Sequence, residues 1–201
     1  MAPCLVILLL AAGSSSRMRG RDKLMELVEG QPLIRRALER ALGTGLPVMV
    51  TLPAPDHPRA RAVGNDLADL VYVPDAAEGM SASIRRGIEA LPPDTGGVMI
   101  LPADLPDLNS KDLLRMASTW VKSPDMILRA TSANGDPGHP VIFPYGYFGD
   151  LAAVTGDRGA RMVLSDHARR VRHLPLAGNR ATTDLDTPEA WDAWRAAQDA
   201  P

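Results

Sequence analysis

Seven consecutive apolar residues, Cys4–Leu10 (CLVILLL), run into Ala11-Ala12-Gly13 and then into a stretch rich in serine and cations. A run with no polar alternation reads as a strand buried on both faces, the kind found inside parallel sheets. Parallel neighbours require crossover connections, and the rest of the chain supplies them. From Pro32, the residues Leu33, Ile34, Ala37, Leu38, Ala41 and Leu42 fall on one helical face, and Gly43 and Gly45 end the pattern. Pro47–Leu52 reads as a second strand, His57–Leu67 as a helix, Leu70–Val73 as a short strand and Met80–Leu91 as a helix. Val98–Leu101 is another buried strand. Ser110 is expected to cap a helix whose apolar face carries Leu113, Leu114, Ala117, Trp120 and Val121. Met126–Arg129, Pro140–Phe143 and Val171–Leu176 read as strands and Gly159–His167 as a helix. Thr187-Pro188-Glu189 opens a last helix as cap, first-turn proline and first-turn acid. This alternation predicts an α/β chain with a mostly parallel sheet and helices on both faces.

Several classes are set aside at this level. An apolar fraction of 45% with 23% charged residues excludes a disordered chain. The net charge of −2 gives no basic field, so no nucleic-acid partner is expected. Cys4 is the only cysteine, which excludes an intramolecular disulfide and suits a reducing, cytoplasmic location. The first apolar run could be the core of a secretory signal, but no positively charged region precedes it and polar residues follow at once. No stretch approaches the ~20 apolar residues of a membrane span, so no membrane partner is expected. At 201 residues, with no repeat or long linker, a single domain over 1–201 is the expectation.

Parallel sheets take their ligands at the carboxyl ends of the strands, so the loops after Leu10 and Leu101 matter most. The first contains Ala11, Ala12, Gly13 and Ser14, whose small side chains let backbone N–H groups approach phosphate oxygens, with Arg17 and Lys23 as fixed positive charges. Neither GxxxxGK[ST] nor GxGxxG is present, and a solvated basic loop would account for the same residues. After the buried strand at 98–101 comes Asp104, placed to hold Mg²⁺ or a ribose hydroxyl, or else to form an Asx-turn. In an extended segment Asp184 and Asp186 point to one side and could supply metal ligands, although Asp186 or Thr187 could equally cap the last helix. Gly79-Met80-Ser81-Ala82-Ser83 opens a helix whose N–H groups and hydroxyls could face a ligand, or form an ordinary serine cap. His139 sits in a rigid Pro-Gly-His-Pro turn, as an acceptor contact or a structural residue. Gly156-Asp157-Arg158-Gly159-Ala160-Arg161 is a second glycine-rich helix start with cations.

Together the segments LAAGSSSRM…DKL (10–24), EGMSASIRRGI (78–88), LPADLP (101–106), GDPGHPVIF (135–143), GDRGAR (156–161) and TDLDTPEAW (183–191) resemble the molybdenum cofactor nucleotidyltransferase family, in particular its cytidylyltransferase branch. The first and third of these segments recur across many nucleotidyltransferases. PGHPVIF with GDRGAR is more particular to the molybdenum cofactor branch.

The resemblance implies a three-layer α/β/α sandwich of the nucleotide-diphospho-sugar transferase type, with an NTP-binding part over about 1–107 and an acceptor-binding part over about 108–201. It implies nucleotide bound by Leu10, Ala11, Ala12, Gly13 and Ser14, with Arg17, Lys23 and Asp104 as the catalytic set and Mg²⁺ on Asp104. Gly79, Ser81 and Ser83 would lie near the nucleoside. His139, Gly156, Asp157 and Arg161 would lie near a phosphorylated pterin acceptor. Ala12 resembles the cytidylyl branch, where guanylyl relatives usually carry glycine, while Arg19 interrupts the more usual Arg-Met-Gly order. The expected reaction moves CMP from CTP to the terminal phosphate of molybdopterin cofactor and releases pyrophosphate. A molybdoenzyme or its chaperone is the protein partner that such a product implies. Another phosphorylated acceptor, such as a sugar phosphate or isoprenoid-precursor phosphate, and a non-catalytic pterin carrier are the competing readings.

Overall fold

The computed structural model describes residues 4–64, 68–156 and 159–198. In chain order its elements begin with β1 (Cys4–Leu10), a short hairpin of β2 (Leu27–Val28) and β3 (Gln31–Pro32), α1 (Leu33–Leu42), β4 (Val48–Leu52), α2 (Pro58–Val63) and β5 (Asp69–Tyr72). They continue with α3 (Met80–Glu89), β6 (Thr95–Pro102), α4 (Ser110–Trp120), β7 (Ile127–Thr131), β8 (Pro137–Pro144), α5 (Phe148–Ala152), α6 (Arg161–Asp166), β9 (Val171–Pro175) and α7 (Pro188–Gln198). Among the described residues no helix is long and apolar enough to cross a membrane.

Strand β1 explains the three layers. Its side chains alternate between two cores: Leu5, Ile7 and Leu9 face one, Val6, Leu8 and Leu10 the other. The first core is closed by Leu33 of α1, Ala60 of α2, Trp120 of α4 and Trp191 of α7. The second is closed by Ile84 of α3, Leu151 of α5 and Val163 of α6. β1 therefore lies in mid-sheet, parallel to β4 on one side and β6 on the other. The seven-stranded order is β5-β4-β1-β6-β8-β7-β9, and only β8 runs antiparallel to its neighbours. That is the three-layer, mostly parallel architecture expected from the pattern.

The structure departs from the sequence reading at element ends. The helix expected over 57–67 stops at Val63, because Gly64 takes a φ of 74° and its N–H closes the last turn on Ala60. Residues 65–67 of that expectation lie outside the described residues. Asn109, not Ser110, caps α4: its side chain accepts from the Asp112 N–H at 3.1 Å, and Asp112 accepts from the Asn109 N–H at 3.2 Å. Ser110 instead donates to the Arg40 carbonyl of α1 at 2.7 Å. Leu114 and Val121 are exposed rather than part of the packed face of α4. The strand expected over 98–101 is longer, Thr95–Pro102, and within the added residues Gly97 makes room for the Trp120 ring, which a Cβ would meet at 2.4 Å.

Candidate active site

At the carboxyl end of β1 the Ala11 N–H donates to the backbone carbonyl and the hydroxyl of Thr51 on β4, at 3.1 and 3.2 Å. Ala12 packs against Val73 and Ala82. A single 3₁₀ turn over Ser16–Met18 follows, flanked by Ser15 and Arg19 in the left-handed region, both with φ of 53°. Arg19 holds that conformation without being a glycine, and its side chain pairs with Glu189.

Arg59 of α2 fastens this loop to the scaffold. Its side chain is 2% exposed and uses Nη1 to donate to the Ala11 and Gly13 carbonyls, both at 2.7 Å. Nε and Nη2 form a two-pronged pair with Asp22 at 2.7 and 2.6 Å, and Nη2 also reaches the Ser15 hydroxyl at 3.0 Å. Burial pushes the Asp22 carboxyl up, but hydrogen bonds from Arg59 outweigh it and hold the group below its ordinary value. The guanidinium thus ties both ends of the loop, at Ala11–Gly13 and at Asp22, to one rigid point.

Next to that anchor, Lys23 places its Nζ between Asp104 and Asp186, at 2.5 and 2.6 Å. Arg17 reaches the other oxygen of Asp186. Partial burial pulls the Lys23 ammonium down, but the two carboxylates prevail and its pKa lies above the ordinary value. Burial works against the Asp186 carboxylate too, and contact with Lys23 and Arg17 reverses it, so Asp186 is held below the usual range. Asp184 goes the other way: burial and the adjacent Asp186 and Asp104 charges raise it. Helix capping falls to Thr187, whose hydroxyl accepts from the Ala190 N–H at 3.2 Å, leaving Asp186 to the site. The Asp104 side chain likewise bonds Lys23 rather than its own turn.

Among the described residues no group of three or more His, Cys, Asp or Glu side chains is gathered tightly enough to form a ready-made metal cage. The donor set nevertheless fits a hard divalent cation. Asp104 and Asp186 offer carboxylate oxygens around a point now bridged by an ammonium group, and Asp184 lies beside them, its carboxyl raised by burial and by the Asp186 and Asp104 charges. Mg²⁺ in particular is commonly held by one or two carboxylates with substrate phosphates completing its shell.

Two chambers open on opposite sides of this cluster and share Arg17, Lys23, Met80, Pro102, Asp104 and Asp186. The first, about 250 Å³, is lined by Leu10, Gly13, Ser14, Gly79 and Ser83. Gly79 has φ of 101° immediately before α3, a backbone state that disfavours side chains. The second chamber, about 370 Å³, is lined by Arg129, His139, Arg161 and Asp184. His139 is pulled down to about 4 by burial and by the Arg129 charge, and its Nδ1 has no partner among the described residues. Among the described residues the sequence-derived set thus converges except at four positions. Ala11 and Ala12 serve the loop's anchorage, and Ser81 is fully buried with its hydroxyl donating to the Gly156 carbonyl at 2.5 Å. That bond also occupies Gly156. Asp157 lies outside the described residues.

Arg59, Asp22, Thr51 and Arg129 were not legible as site residues. Arg59 and Arg129 share one signal: a guanidinium flanked by apolar neighbours at an inward position of a helix or strand, where a charge must have a reason to be.

A family model described as the MobA-like NTP transferase domain matches residues 7–171, from β1 to the start of β9. The chain belongs to this family. The MobA-like match contains both loops of the first chamber together with Asp104, Arg129 and His139. The probable molybdenum cofactor guanylyltransferase of Rhodopirellula baltica is 27% identical over 174 residues, covering 86% of this chain and 79% of that protein. The bifunctional protein GlmU of Kineococcus radiotolerans is 31% identical over 135 residues, 65% of this chain, but the match spans only 28% of GlmU. Among solved structures, Rv0371c from Mycobacterium tuberculosis superposes with a TM-score of 0.83 at 26% identity, with 100% of both chains covered. A manganese complex of that protein gives a TM-score of 0.80 at 25% identity, again over 100% of both chains.

Proposed function

We propose that this MobA-like chain moves CMP from CTP to the terminal phosphate of a molybdopterin-type cofactor and releases pyrophosphate. The observation that carries the reading is the shared seam: Lys23, Asp104 and Asp186 border both chambers, so a nucleotide in one and an acceptor in the other would meet there. The small-residue loop and the Gly79 turn suit a triphosphate and nucleoside. The second chamber adds Arg129 and Arg161 to the shared Arg17 and Lys23 and suits an anionic acceptor. CTP is favoured by Ala12, and the pterin acceptor by the PGHPVIF and GDRGAR segments. The Rhodopirellula relative, named a guanylyltransferase, makes GTP the first competitor.

In the proposed step an oxygen of the acceptor phosphate attacks the α-phosphorus in line. A new phosphorus–oxygen bond forms, the bond from the α-phosphorus to the bridging oxygen breaks, and pyrophosphate leaves with that electron pair. Arg17 and Lys23 lie where they can neutralise the departing pyrophosphate, so Lys23 exchanges carboxylate oxygens for phosphate oxygens when nucleotide arrives. Asp104 and Asp186 would hold Mg²⁺, which supplies further charge neutralisation at the triphosphate. The manganese complex of the mycobacterial structure supports a divalent ion in this fold. Positioning and electrostatics suffice for phosphoryl chemistry, and no covalent protein intermediate is required.

Pyrophosphate release measured with Mg²⁺, intact molybdopterin-type acceptor and each NTP in turn tests the proposal. It requires acceptor-dependent release that is selective for CTP. Selectivity for GTP would move the chain to the guanylyl branch. Release only with another phosphorylated acceptor would overturn the pterin assignment, and tight pterin binding without any release would make the chain a carrier.

A further inference from the structure

The second chamber contains a cation, Arg129, to which the transfer step described above gives no individual role. Arg129 projects from β7 into the cavity of about 370 Å³ and spends only its Nε, which donates to the Gly138 carbonyl at 3.1 Å. Its two terminal nitrogens have no hydrogen-bond acceptor among the described residues. Arg161, from the first turn of α6, lines the same cavity. The surroundings of Arg129 act against its charge: burial first, then the positive field of Arg161. Arg129 is half-buried and Arg161 exposed, and although Asp104, Asp184 and Asp186 line the same cavity, none of them pairs with Arg129, which leaves its two terminal nitrogens open to an entering anion. A third group points to the same place. The His139 ring lines this cavity too, and its Nδ1 is shut off from solvent with no partner among the described residues. A ligand oxygen in the cavity would therefore meet the ring at Nε2.

We propose that Arg129, with Arg161 and His139, forms the docking point for the acceptor's phosphate monoester, making Arg129 a determinant of acceptor affinity. This rests on the nucleotidyl-transfer reading for the identity of the acceptor, but not for the existence of the anion site. The geometry divides labour between the two chambers. Arg17 and Lys23 are already committed to the Asp104–Asp186 cluster and its triphosphate side. Arg129 lines the second chamber and not the first, so it can hold an incoming phosphate without competing for the nucleotide. A phosphate offers three terminal oxygens, enough for one guanidinium pair and one imidazole N–H at once.

The test uses the full chain with Arg129→Gln and Arg129→Lys, and two readouts. In steady-state turnover at saturating CTP and Mg²⁺, Arg129→Gln should raise the acceptor KM by about 10- to 100-fold, the loss expected for charge-assisted hydrogen bonds, with the CTP KM within about twofold. Arg129→Lys, which keeps the charge but not the fork, should recover part of the loss. In the second readout, inorganic phosphate is titrated while the His139 ring nitrogens are followed by NMR. They should shift in the wild type and stay still in Arg129→Gln. A fall in kcat at unchanged acceptor KM, or equal phosphate-induced shifts in wild type and Arg129→Gln, would overturn the proposal. Absence of any turnover in the wild type would retire the nucleotidyl-transfer reading alone, because the phosphate titration still decides the anion site. Urea melts of both variants show whether either loses its fold, and Arg129→Lys carries the test if Arg129→Gln does.

Discussion

Lys23 makes two contacts, to Asp104 and Asp186, that a bound triphosphate would have to replace. Lys23→Ala and Asp104→Ala are each expected to lower kcat by on the order of 10²-fold or more, measured at saturating NTP and Mg²⁺. Near-normal turnover in both variants would remove them from the chemistry. Arg59 acts differently, because it touches the loop and not the chamber. Arg59→Met strips the counter-charge from Asp22 and the donor from two loop carbonyls, which should cost about 3–5 kcal/mol in urea unfolding. A loss below about 1 kcal/mol would mean that the loop is held by other bonds. His139 supplies a pH signature. Its folded pKa of about 4 lies below the ordinary value of 6.5, so the stability it contributes is complete above pH 6.5 and is lost as pH falls toward 4. Arg129 and Arg161 oppose its protonation and Asp104 favours it. The loss is at most about 3 kcal/mol, an upper value because the residue keeps some exposure. Unfolding free energies at pH 7 and pH 4.5 should therefore fall more steeply for wild type than for His139→Gln, and parallel slopes would contradict this.

The elements show what the sequence makes legible. Strand β1 is written in seven apolar letters, and its double burial follows from them. Lys23 and Asp104 could be nominated because each sits in a loop where a parallel sheet takes ligands, and Asp184 with Asp186 because paired carboxylates in an extended segment point to one side. Their meeting could not, since it depends on β1 and β6 being neighbours while 183–187 returns from the far side of the sheet. Arg59 was hidden for the same reason: its partners lie 37 to 48 residues away, and no local pattern reports them. Helix ends were misjudged where one residue's geometry decides, as at Gly64 and Asn109. Gly138 shows such a decision at the site itself. A Cβ there would lie 2.0 Å from the Ala181 carbonyl oxygen, a backbone atom that no rotamer change can move. Gly138→Ala should push residues 181–186 away from β8, costing about 1–3 kcal/mol and displacing Asp184 and Asp186. Thermal melts and turnover should both fall, whereas full activity would show that the segment adapts.

At the level of the whole molecule, the single antiparallel strand β8 lies between β6, which leads to Asp104, and β7, which carries Arg129. The parallel half of the sheet builds the small-residue chamber and the mixed half builds the cationic one. The mycobacterial structures superpose on this plan over the full chain and the MobA-like match covers residues 7–171 of it, so the architecture belongs to the family, while on the proposed reading the choice of acceptor would lie with the second chamber. The central claim is that the two chambers exchange a nucleoside monophosphate across Lys23, Asp104 and Asp186. The most direct measurement is to supply CTP labelled at the α-phosphate with a molybdopterin-type acceptor and Mg²⁺, and to follow the label. Transfer predicts label in an acceptor adduct, one pyrophosphate formed for each adduct, and loss of both in Asp104→Ala. Label recovered as free CMP, or left in CTP while the acceptor stays bound, would contradict the account.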